Sequence, residues 1–206
     1  MKAYPSITTK IDFSKSYHIF NKYDGSNIRA EWNKKKGFYK FGSRTQLLTP
    51  DQAILYPSIA KIQSEYEEHL TQRLEKTKAE SAVCFFEYFG ADSFAGSHSS
   101  DPIKLSPLLI DIAIYKKGIM PPTKFLDFTQ GLRVAELLYV GKIDEEFFQS
   151  VRNSTLPGMT FEGIIGKGEF SQREGSPIMF KIKSNAWLNK LKDICHGDEA
   201  LYQRLK

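Results

Sequence analysis

Cysteine is scarce in this chain of 206 residues: Cys84 and Cys195 are the two present, far apart and without metal-type spacing. That pattern excludes a disulfide scaffold or a cysteine-ligated metal, and reads as reduced thiols in a cytoplasmic protein, Cys84 within an apolar strand run. No apolar run approaches the roughly 20 residues that a membrane span requires. The opening Met1-Lys2-Ala3-Tyr4-Pro5 lacks the apolar core of a signal peptide, so no membrane partner is expected. Internal repeats and low-complexity linkers are missing too, which favours a single domain over 1–206. Neither sign of charge dominates strongly, with 29 Lys+Arg against 24 Asp+Glu. The net charge of +5 leans only mildly toward an anionic partner. With 41% apolar and 26% charged residues, the composition is that of an ordinary folded protein.

What is present divides by period. Residues 17–33 read as strand, turn, strand, with Ile28, Ala30 and Trp32 alternating against Asn27, Arg29 and Glu31. Lys34-Lys35-Lys36-Gly37 makes a solvated hairpin turn into a strand over 38–42. From 51 to about 78 the period becomes helical, Ile59, Ile62, Tyr66, Leu70 and Leu74 forming an apolar face. Residues 82–89 and 108–115 read as buried strands. Between them, 90–106 is a polar loop whose lone His98 could touch substrate, although a loop histidine of this kind is more often solvated. Asp144 is positioned to cap a helix running to about Asn153. Strands over 160–167 and 177–183 follow, then helical material from 185 to 205 anchored by Trp187, Leu188 and Leu191. Strands and segregated helices in this arrangement predict an α+β fold with antiparallel sheets flanked by helices.

Five short motifs lie along this framework: Lys22-Tyr23-Asp24-Gly25-Ser26-Asn27, Ser43-Arg44-Thr45, Phe86-Glu87-Tyr88-Phe89-Gly90, Glu162-Gly163-Ile164-Ile165-Gly166-Lys167 and Lys181-Ile182-Lys183. Singly, each is ordinary; a Glu-Gly strand edge or a Lys-Ile-Lys strand occurs in many β proteins. In this order the set resembles the collinear motifs of covalent nucleotidyltransferases, the polynucleotide ligases and mRNA capping enzymes. The resemblance spans roughly residues 17 to 190.

That resemblance implies a nucleotidyltransferase (adenylyltransferase) domain in which Lys22 forms a phosphoramide with AMP. It gives Lys183 the α-phosphate and Lys181 a phosphate or leaving group. Glu87 would take the ribose, and Arg44 a phosphate. Glu162 would place a metal ion, Mg2+ or Mn2+, or its waters. Asp24, Gly25, Asn27 and Ile110 complete the nucleotide-contacting set, Gly25 as the turn that lets backbone approach. The physics is compatible. A lysine amine attacks only when neutral, and its ordinary pKa near 10.4 must be pushed down by burial or neighbouring cations. Lys181 and Lys183, two apart on one strand, share a face from which they could do this and bind phosphate.

The position held by Asn27 is usually arginine in DNA ligases and capping enzymes, and asparagine in RNA ligases of the second class. The run Ile110-Asp111-Ile112-Ala113, followed by Lys117-Gly118-Ile119-Met120-Pro121, also resembles their segment between the third and fourth motifs. The chain therefore resembles RNA ligase 2-like proteins, a group frequent in phages and tied to RNA repair. Two positions depart from the pattern: Ile110 replaces a base-stacking aromatic, and Asn21 stands where ligases often have glutamate. The OB-fold or helical domain that ligases commonly append is not expected within these residues, so end binding would fall to this domain, a dimer or an accessory partner. The implied reaction is ATP-dependent RNA ligation: lysyl-AMP formation, AMP transfer to a 5′-phosphate, and sealing to a 3′-hydroxyl, on free ends or in a nicked duplex. DNA ligation, GTP-dependent capping chemistry and an inactive nucleic-acid end-binding module remain the alternatives.

Overall fold

The structure, a computed structural model, describes residues 1–98, 100–170 and 177–206. In chain order the strands are β1 (Ser16–Lys22), β2 (Ser26–Asn33), β3 (Gly37–Gly42), β4 (Ser81–Phe89), β5 (Ser106–Ile114), β6 (Gly118–Ile119), β7 (Leu137–Lys142), β8 (Gly163–Gly168) and β9 (Met179–Lys183). The α-helices are α1 (Ser58–Ile62), α2 (Glu68–Lys76), α3 (Pro122–Phe128), α4 (Glu145–Arg152), α5 (Asn185–Ile194) and α6 (Glu199–Leu205). Among the described residues no helix is long and apolar enough to cross a membrane. The chain forms two compact units, and it passes between them after Pro5, Tyr23, Ala135 and Glu169.

One unit holds Met1–Pro5 and Asp24–Ala135, built on a five-stranded sheet of order β3-β2-β4-β5-β6. Its strands pair antiparallel. Alternation sends Ile28, Ala30 and Trp32 of β2, with Cys84, Phe86 and Tyr88 of β4, to one face. Against that face lie Ile62, Tyr66, Leu70 and Leu74, all essentially buried. Each such side chain contributes on the order of 1.5–3 kcal/mol by leaving water. Tyr66 keeps its hydroxyl satisfied by donating to the carbonyls of Pro107 and Arg133 at 3.1 and 2.9 Å, and burial pushes its pKa up to about 12. The expected helix over 51–78 begins only at Ser58, because Pro57 disfavours helical geometry in the residue before it. A π-helical stretch, Gln63–Glu67, interrupts it before α2. The opposite face of the sheet carries polar groups among apolar ones: Asn27, Arg29, Glu87 and Asp111 lie there, with Tyr4 donating its hydroxyl to Asp111 and packing its ring 5.0 Å from Phe85.

The other unit holds Ser6–Tyr23, 136–169 and Pro177–Lys206, on an antiparallel four-stranded sheet of order β7-β1-β8-β9. Tyr17, Ile19, Ile164, Phe180 and Ile182 form its core with Val151 of α4. Asp144 caps α4 as expected, accepting from the Phe147 amide at 2.8 Å. The last helical region is not continuous. His196 and Gly197 adopt positive φ of 47° and 85°, ending α5, and Asp198 caps α6. The edge strand β7 and the short α3, opened by Pro121-Pro122, were not anticipated from the sequence pattern.

Candidate active site

The register of the four-stranded sheet assembles a charged cluster. Lys22, the last residue of β1, pairs with Gly163, and Gly163 pairs with Lys183 of β9. Three adjacent strands thus put Lys22, Gly163 and Lys183 in one row, with no side chain between the two lysines. Gly163 has φ +136°, and a Cβ there would lie 2.1 Å from the Ile182 carbonyl oxygen. Only glycine fits this position. Its neighbour Glu162, 4% exposed, fills the gap: one carboxylate oxygen, Oε1, receives Lys22 Nζ and Lys183 Nζ, each at 2.9 Å.

The surrounding contacts fix these groups. Ser184 donates its amide to the Glu162 carbonyl at 2.9 Å and its hydroxyl to the Phe161 carbonyl at 2.7 Å. Trp187, buried in α5, places its ring under Lys183, whose amine is 3.5 Å from the centroid. Burial pushes the Lys183 amine down to about 8; Glu162 pulls the other way, while Lys22 and Lys181 add to the drop. Lys181 lies on the same face of β9, and its amine donates to the Lys206 carbonyl at 3.0 Å. Lys22 thus meets a carboxylate as well as a neighbouring amine.

Sequence reasoning gave no role to the groups that hold this cluster. Asn21, buried beside Lys22, donates to Glu136 Oε2 and the Gly158 carbonyl, each at 3.0 Å, and accepts from the Thr160 amide at 2.8 Å. Thr160 in turn donates its hydroxyl to the Lys22 carbonyl at 2.5 Å. The residue standing where a glutamate was anticipated therefore ties Lys22 to the turn that carries Glu162. Lys167, the last residue of the Glu162 motif, is also buried on the lysine-bearing face, its amine 4.7 Å from the Phe20 ring.

The five-stranded unit gathers most of the remaining residues. Asn27 and Glu87 are direct cross-strand partners on β2 and β4. Glu87 Oε1 accepts from the Gly25 amide at 3.0 Å. Gly25 admits no side chain, since a Cβ would lie 2.5 Å from the Tyr88 carbonyl oxygen. Asp24 Oδ2 accepts from the Ala95 amide at 2.8 Å. Ile110 falls at the β-bulge of β5, between Leu109, paired with Phe86, and Asp111, paired with Phe85. Arg44 stands exposed on the turn after β3; among the described residues no hydrogen bond or ion pair joins it to Glu87 or Asp24. His98 is not solvated as expected: its ring bridges Ser26 and Ser93.

No family model matches the chain, and no curated protein matches it. Solved structures do. A lysine-to-alanine variant of an RNA ligase from Naegleria gruberi, with ATP and Mn, superposes with a TM-score of 0.63 at 14% identity over 92% of this chain and 60% of that one. A lysine-to-methionine variant with AMP and Mn gives the same figures. The ligase with PPi gives 0.57 at 15% identity, over 87% of this chain and 52% of that one. The fold is shared with that RNA ligase. The chain spans between 52% and 60% of the length of these structures.

The fit of a divalent cation can be judged from the donors. Glu162 Oε2 is buried without a hydrogen-bond partner, an arrangement that a cation or its bound water would complete. Among the described residues no group of three or more His, Cys, Asp or Glu gathers. A hard cation here would rely on Glu162, water and phosphate oxygens, as Mg2+ commonly does.

Proposed function

We propose that residues 1–206 act as the nucleotidyltransferase domain of an ATP-dependent RNA ligase. The observation that carries this reading is Glu162 Oε1 shared between Lys22 and Lys183, in a fold shared with an RNA ligase. In the first step Lys22 gives up a proton to solvent, and its neutral Nζ attacks the α-phosphorus of ATP, losing a second proton to solvent as the new bond forms. A P–N bond forms, the α-phosphorus–oxygen bond to the β-phosphate breaks, and pyrophosphate leaves. Lys183, with Lys181 on its flank, neutralises charge on the α-phosphate as it reorganises. Glu162 holds the two amines in place and would hold Mg2+ or Mn2+, which when bound would neutralise phosphate charge. Glu87, Asn27 and Asp24 with Gly25 would take the nucleoside, and the unpartnered Asn27 Oδ1 suits a ribose hydroxyl. An RNA 5′-phosphate oxygen then attacks the AMP phosphorus, breaking the P–N bond. Finally an RNA 3′-hydroxyl attacks the activated 5′-phosphate and AMP departs.

The deciding experiment is incubation with ATP labelled in its α-phosphate, alongside GTP as a control, with Mg2+ or Mn2+, followed by denaturing electrophoresis. Label retained by the wild type from ATP but not by Lys22→Ala is the expected result. A wild type no more labelled than Lys22→Ala would end the proposal.

A further inference from the structure

Each residue of the 24–26 turn is tied to a different group. The Gly25 amide goes to Glu87, the Asp24 carboxylate to the Ala95 amide, and the Ser26 hydroxyl to His98 Nε2 at 2.7 Å. Two of the three ties come from the loop that follows β4. That loop is itself well built. Phe94 and Ser97 exchange backbone hydrogen bonds of 2.9 Å each way, around Ala95 and Gly96 at φ 50° and 80°. This is the positive-φ, two-residue turn of a tight hairpin, in which alanine is disfavoured. The strained Ala95 is also the residue whose N–H reaches Asp24, so the strain coincides with a contact to the nucleotide motif. Ser93 receives the Gly90 amide at 2.9 Å and meets His98 Nδ1 at 3.1 Å. The imidazole closes a chain running from Gly90 through Ser93 to Ser26.

A neutral imidazole suits this place, because it has one donor and one acceptor nitrogen and each faces a serine hydroxyl able to play the complementary part. Burial lowers the His98 pKa, with Asp24 opposing, which fits that neutral form near pH 7. A histidine that only decorated a loop would need neither partner.

We propose that loop 90–98 is a strap over the nucleotide motif, and that His98 latches it to Ser26, making His98 a positioning residue for ATP. The role for ATP rests on the ligase reading above; the latch itself does not. With the latch closed, Asp24, Gly25 and Glu87 are held in one arrangement, so the cost of ordering them is met before the nucleotide arrives.

The test uses His98→Ala, His98→Gln and Ser26→Ala in the full chain, with two readouts. Hydrogen exchange followed by mass spectrometry should show faster exchange for His98→Ala both around 24–27 and across 90–98. The KM for ATP in adduct formation should rise roughly 5-fold, the worth of one neutral hydrogen bond, with kcat little changed. His98→Gln, which keeps a donor and an acceptor, should restore part of the loss. The His98→Ala and Ser26→Ala effects should not add in the double variant, as expected for one shared bond. Unchanged exchange around 24–27 in both single variants would overturn the latch, as would additive effects. If the wild type forms no adduct, the ligase reading fails while the exchange data still decide the latch. Should His98→Ala not fold, Ser26→Ala breaks the same bond from the other side.

Discussion

The two units concentrate different kinds of interaction. In the four-stranded unit the conspicuous groups are charges: Lys22 and Lys183 on one oxygen of Glu162, with Lys181 and Lys167 on the same face of the sheet. In the five-stranded unit they are hydrogen-bonding shapes: Glu87 on the Gly25 amide, Asp24 on Ala95, Ser26 on His98. The first arrangement is suited to stabilising charge that moves during a reaction. The second is suited to recognising a neutral, directional partner such as a nucleoside. The contrast predicts that substitutions in one unit alter rate, and in the other alter affinity.

The largest effect should come from the charged unit. Glu162→Ala and Lys183→Ala should each slow adduct formation by about 10²- to 10⁴-fold in kcat, the scale of a lost preorganised charge. Single-turnover labelling measures this, and a loss confined to KM would erase the contrast. Next in size, Glu87→Ala should raise the KM for ATP by roughly 10- to 100-fold, the worth of a charge-assisted hydrogen bond. Its kcat should hold within a few-fold; a collapse of kcat instead would place Glu87 among the reacting groups. The smallest effect is a change of pH profile. Burial lowers the Lys183 amine to about 8, so the help proposed for it at the phosphate would fade as pH rises through that value. Adduct formation in the wild type should therefore show a falling limb above about pH 8. Lys183→Arg, which stays protonated, should lose that limb.

Much of this was legible in the sequence where a residue's role depends on local pattern. Period-two alternation located β2, an aliphatic and aromatic run located β4, and the spacing of Lys181 and Lys183 put both on one face. The Asp144 cap was readable because capping is a local hydrogen bond. What escaped depends on long-range pairing. Asn21 and Thr160 meet only because β1 pairs with β8, and nothing near either residue announces it. His98 looked solvated because its partners, Ser26 and Ser93, include one contributed by a distant strand. β7 is an edge strand with exposed Tyr139 and Val140, so it lacks the alternation that half-burial imposes. The break between α5 and α6 turns on His196 at positive φ, a conformation its side chain does not advertise.

The missing side chain at position 163 has a consequence for how this surface could change over evolutionary time. In most sheets, a residue on the middle strand screens its neighbours on either side from each other, and their charges can drift independently. Here the vacancy leaves two amines in electrical conversation through a single acid, so altering any one of the three resets the other two. Such a trio is expected to be kept or lost as a unit.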